Sequence, residues 1–119
     1  MKKQIHDALS QLITKRLEKH LSSKLDSQTC IEIYKDIFDT VLEVFRESRV
    51  DVSNEAVNLL SQMYYDSVKI NAREDLDPNI FTSRAKIENV STKELAMLAS
   101  LFSGTPYGDI FVYSTKRRS

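Results

Sequence analysis

Ile5, Leu9, Leu12, Ile13, Leu17, Leu21 and Leu25 recur at spacings of three and four. That period places them on one stripe of an amphipathic helix over residues 3–24. Lys2, Lys3, Lys15, Arg16, Lys19 and Lys24 fall on its other faces. The polar stretch "DSQT" at 26–29 breaks the pattern and offers Asp26 or Ser27 as a helix cap. A second helix is expected over residues 30–48. Ile31, Tyr34, Ile37, Phe38, Val41, Leu42 and Phe45 form its broad apolar face, widened by Ile33 and Val44, while Asp36, Asp39, Glu43 and Glu47 sit largely elsewhere.

"RVDVS" at 49–53 reads as a short extended connector, with Ser53 as the N-cap of a third helix running to about residue 74. Val52 and Val57 have the spacing of a hydrophobic staple. Ala56, Val57, Leu59, Leu60, Met63, Tyr64, Val68 and Ala72 are apolar on more than one side, as in a helix contacted from several directions. Pro78 stops helix at residue 77 and beyond. "AKIENV" at 85–90 reads as extended. Ser91 and Glu94 then form a capping box, with Val90 and Leu95 as a second staple, ahead of a short helix ended by Gly104. The starts "DVSNEAVNLL" and "ENVSTKELAML" are therefore alike: a β-favouring Val, a capping Ser, then a helix. "TPYG" at 105–108 reads as a turn, and "DIFVYST" at 109–115 as a strand or extended arm.

Composition sharpens this picture. The chain has 119 residues, enough for one domain, and only two Gly and two Pro, which favours helices over a sandwich of short strands. It is 41% hydrophobic and 29% charged, the balance of a globular, soluble chain. No apolar run is long enough to cross a membrane, and "MKKQIHDALS" lacks the apolar stretch of a signal peptide. An intracellular, reducing compartment is expected. Cys30 is the single cysteine and opens an apolar stripe, so it reads as a small buried hydrophobe. Net charge is zero but unevenly spread. Residues 1–25 hold six Lys/Arg against two Asp/Glu, residues 26–66 three against nine, and residues 67–119 eight against six. Two basic edges flank an acidic middle.

No Gly-rich phosphate loop, HExxH or G-x-S-x-G is present. His6 and His20 are expected at surface or cap positions, and the Asp36, Asp39 and Glu43 run as a wet helix face. Neither an enzyme nor a metal site nor a cofactor is expected.

Taken in order, the helix ending in "FRES", the loop "RVDVS", the long many-sided helix, the loop "AKIENVS" and the short helix "TKELAMLASLF" resemble the histone fold. The closest likeness is to non-nucleosomal members such as centromere protein X and the histone-fold subunits of TFIID, over residues 31–103. The shared pattern is Val52, Ser53 and Ala56 opening the central helix, and a polar insertion near 75–85 before the last one. The resemblance implies an obligate dimer whose loops pair with the partner's opposite loops. It places Leu59, Leu60, Met63, Tyr64, Val68, Val52 and Val90 at a protein interface. It also implies DNA-backbone contacts by Arg49, Arg84 and Lys86, with Lys116, Arg117 and Arg118 as a flexible basic tail. The chain departs from the family in its added N-terminal helix and in lacking the Arg common near the second loop.

The expected architecture is thus all-α: a histone-fold-like helix–loop–long helix–loop–helix, with a basic N-terminal helix at 1–25, a helical core at 26–104 and an extended arm and basic tail at 105–119. A four-helix bundle is the alternative. The expected function is a non-enzymatic, dimerising subunit of a chromatin- or transcription-associated complex, nuclear under the histone-fold reading. Its implied partners are a homo- or heterodimer chain and DNA, with no membrane and no small-molecule substrate. The alternative is a small helical adaptor or inhibitor, of viral kind for instance, that binds one protein and no nucleic acid.

Overall fold

The structure is a computed structural model that describes residues 4–21, 26–72 and 87–118. Among these, five α-helices carry the fold and no strand is present. They are α1 (Gln4–Leu21), α2 (Ser27–Glu47), α3 (Asn54–Ala72), α4 (Thr92–Leu101) and α5 (Pro106–Arg117), with one 3-10 turn at Ile87–Asn89. α1 packs along α2, α2 along α3, and α4 along α5.

The apolar stripes read from the sequence meet in one core. Leu9, Ile13 and Leu17 of α1, Ile37, Val41 and Phe45 of α2, and Val57 and Leu60 of α3 are buried together with Leu95, Leu98, Phe102 and Phe111. α1 is therefore part of this core rather than an appendage to it. Cys30 is buried, as expected. The α4–α5 hairpin docks on α2 through Phe102, 6.4 Å from Phe45 centroid to centroid, and within the hairpin Phe102 lies 6.0 Å from Phe111.

The helix ends follow local chemistry. Asp26 caps α2 by accepting the Thr29 N–H at 2.8 Å. α2 ends in a Schellman motif: the Val50 N–H bonds the Phe45 carbonyl and the Arg49 N–H bonds the Arg46 carbonyl. The motif needs a left-handed residue, and Arg49 supplies it at φ 58°. Ser53 caps α3, its hydroxyl accepting the Ala56 N–H at 3.1 Å. Gly104 follows α4 at φ 86°, the left-handed stop expected there.

Two expectations are corrected. Residues 87–89 form a 3-10 turn where an extended segment was expected, closed by the Val90 N–H on the Ile87 carbonyl. Residues 106–117 form α5 where an extended arm was expected. "TPYG" is a helix start: Thr105 caps it by accepting the Gly108 N–H, and Pro106 occupies the first turn, where its missing N–H costs nothing. Gly108 is required by packing, because a Cβ there would lie 2.3 Å from the Phe102 carbonyl oxygen. The Asp109 and Lys116/Arg117 pair of ends complements the helix dipole. The expected polar loop at 75–85 lies outside the described residues.

Candidate functional site

The two similar helix starts are neighbours. Glu94, in the first turn of α4, accepts the Ser53 N–H at 2.8 Å on one carboxylate oxygen and the Ser53 hydroxyl on the other. Only half of the expected capping box is made by this pair's own helix: Ser91 accepts the Glu94 N–H at 3.1 Å, while both oxygens of Glu94 serve α3. A hollow of about 500 Å³ lies beside this clip, lined by Asp51, Ser53, Ser91, Lys93, Glu94 and Met97. The contact forms within one chain.

A second cluster joins α1, α3 and α5. His6 Nδ1 lies 2.7 Å from the Tyr64 hydroxyl. Tyr107 packs against both rings, at 5.4 and 4.7 Å, and its hydroxyl meets Ser67 Oγ at 2.9 Å. Burial pushes the Tyr64 phenol far above the ordinary tyrosine value, and the Tyr107 phenol adds to that, against a hydrogen bond from Ser10. His6 is thus half-buried among rings, and His20 is buried beside Asp36 at 3.1 Å. Neither is at the surface, the first of the two alternatives expected for them; both lie in the end turns of α1.

The charge imbalance along the chain is partly consumed internally. Arg16 of α1 bonds Glu43 of α2 at 2.6 Å and Thr40 at 2.9 Å, and Lys19 meets Asp36 at 3.3 Å. The basic first helix lies on the acidic second one. Asp36 and Glu43, expected to face water, line this seam. Among the described residues no group of three or more His, Cys, Asp or Glu is placed to hold a metal, and no helix is long and apolar enough to cross a membrane.

The residues expected at a dimer interface lie mainly inside. Leu59, Leu60, Tyr64 and Val90 are buried in this chain's own core, and Val52, Met63 and Val68 are half-buried against it. The reason is that the α4–α5 hairpin and α1 cover faces of α3 that a lone histone-fold chain would leave open. Of the basic residues, Arg49, Lys116 and Arg117 are exposed, and Arg84 and Lys86 lie outside the described residues. Arg118 is no flexible tail. Its guanidinium donates to the carbonyls of Val90 at 2.7 Å and Ile87 at 2.8 Å, and to the Thr92 hydroxyl at 3.1 Å.

Among the described residues the outer face of α5 is open. Among the described residues four large hydrophobic side chains are exposed, and three of them are on this helix: Ile110 at 47%, Val112 at 41% and Tyr113 at 61%; the fourth is Ile31. Arg117 lies over the Tyr113 ring, 5.8 Å from its centroid. Reading 109–115 as a strand or extended arm hides this face. The signal that would have found it is Thr105-Pro106, a cap followed by a first-turn proline.

Comparison with protein-family models, with curated proteins and with solved structures finds no match to this chain.

Proposed function

We propose that this chain is a non-enzymatic helical protein-binding module that works through the outer face of α5. The observation that carries the reading is the contrast between a closed interior and one helix face on which three large hydrophobic side chains stay open among charged ones. The interior, Leu60 included, is completed by a single chain, whereas Ile110, Val112 and Tyr113 keep 41% exposure or more on one helix of 12 residues. Exposed aromatic and aliphatic side chains grouped with an Arg are the composition of an interface centre. A photo-crosslinking side chain at position 113, compared with one at exposed Gln11 on α1, tests it in the native source. Discrete protein adducts from 113 and few from 11 are expected; no protein adduct from 113 would overturn the reading.

The second reading is the histone-fold-like subunit with DNA-backbone contacts. The order of the helices favours it. The dimeric arrangement needs those loops to pair between chains, whereas Glu94 joins Ser53 within one. Arg118, one of the six proposed phosphate ligands, also donates to its own chain's backbone, which counts against that role. A gel-shift series against salt separates the readings: affinity that falls steeply as salt rises supports DNA contact, and no binding at low salt supports the protein-binding module.

A further inference from the structure

We propose that the outer face of α5 pairs antiparallel with α5 of a second copy of this chain, across a two-fold axis beside Tyr113. This rests on the reading that the face binds protein, and it names the partner.

Asp109, Tyr113 and Lys116 stand at positions i, i+4 and i+7 of one helix, so they share a face. All three are exposed, and the buried Gly108 and Phe111 mark the opposite side. Ile110 and Val112 flank the row, both exposed. The face is therefore acidic at its start, aromatic in its middle and basic at its end. That order is self-complementary in one orientation only. An antiparallel copy sets Asp109 against Lys116 of the second chain, twice, with the two Tyr113 rings meeting near the axis. A parallel copy would set Asp109 against Asp109 and Lys116 against Lys116. The antiparallel contact uses the same patch on both chains and closes at two, so it does not propagate.

The interface is small. Twelve residues span about 18 Å, so the buried surface falls below the about 800 Å² per partner of a standard interface. Pairing is therefore concentration-dependent, not obligate, which agrees with a core that one chain completes.

Light scattering on the purified chain, from low micromolar to near-millimolar concentration, provides the test. The mass is expected to rise from that of one chain toward twice that value. Asp109→Lys and Lys116→Glu should each stay at one chain's mass at the highest concentration, because each sets like charges together at both contacts. An equal mixture of the two variants should regain the doubled mass, because both contacts then become attractive. Tyr113→Glu, at the most exposed position of the patch, should also lose dimerisation and checks the face without altering the helix-end charges. Circular dichroism establishes that each variant is folded. A wild-type chain that stays monomeric throughout, or a mixture no heavier than its components, would overturn the proposal. If position 113 cross-links to a different protein while the wild-type chain stays monomeric, the second copy is refuted and the protein-binding reading stands. Sedimentation with phosphatidylserine vesicles, with no self-association and no protein adduct, would refute both.

Discussion

The Tyr64 hydroxyl, 2.7 Å from His6 Nδ1, ties α1 to α3 where Tyr107 of α5 also packs. Because burial raises the Tyr64 phenol above its ordinary value of 10.0, the folded chain resists its ionisation more than the unfolded chain does. The stability this represents is fully present below about pH 10 and declines as pH rises further, where the unfolded state loses the proton first. Urea denaturation at pH 8 and pH 10.5 should show that decline, and Tyr64→Phe should lessen it. Tyr64→Phe should also cost about 1 kcal/mol at pH 8 through the lost hydrogen bond. An equal decline in both proteins would show that other tyrosines set it. Helical periodicity identified Tyr64 as apolar-facing, but a one-dimensional spacing carries no record of what lies across the gap. Spacing predicts surface or cap positions for His6 and His20 for the same reason: their partners, Tyr64 and Asp36, are 58 and 16 residues away.

At the scale of elements, each of α1 to α4 was legible because its apolar residues repeat at three and four and its caps are local. Asp26, Ser53 and Ser91 cap the helices that follow them. α5 was misread because Ile110, Val112 and Ser114 alternate with Phe111 and Tyr113 in a pattern that also suits a strand. The decision is made by what precedes and packs on the segment: the Thr105 cap, Pro106, and a Gly108 that lets the backbone approach Phe102. Glu94 shows the same limit. Its place three residues after Ser91 announced a capping box, yet its carboxylate caps another helix. Glu94→Ala should therefore lower stability by about 1–3 kcal/mol, since it leaves the Ser53 N–H without its charged acceptor. Exposed Glu88→Ala should change it by less than about 0.5 kcal/mol. Thermal melts compare the two directly; equal effects would show that the Ser53–Glu94 contact adds nothing to the fold.

For the molecule as a whole, composition foretold the class and not the arrangement. An all-helical chain was expected, and among the described residues every regular element is helical. The sequence shows two basic edges flanking an acidic middle, and in the fold Arg16 and Lys19 meet Glu43 and Asp36 once α1 lies on α2. Exposed pairs of this kind each contribute about 0–1 kcal/mol, so the apolar packing of α1 on α2 carries most of that contact. The dimer surface proposed for α3 likewise depended on leaving that helix uncovered. Whether a many-sided helix is covered by its own chain or by a partner is a question of topology, and both outcomes produce the same apolar pattern.

The clip between Ser53 and Glu94 and the anchoring of Arg118 on Ile87 and Val90 have a consequence for chain continuity. The α1–α3 unit and the α4–α5 hairpin are held to each other by noncovalent contacts: the Glu94 carboxylate, the Phe45–Phe102 pair and the His6–Tyr64–Tyr107 cluster. All of these contacts are made by residues outside the stretch between 72 and 87. Two polypeptides, 1–79 and 80–119, should therefore find each other when mixed and restore the circular dichroism spectrum of the intact chain, with an affinity that Glu94→Ala weakens. Fragments that stay unstructured when mixed would show that the covalent link is what holds the hairpin in place. Reassembly would make this small fold a natural two-piece reporter, in which association of the pieces is read out as folding.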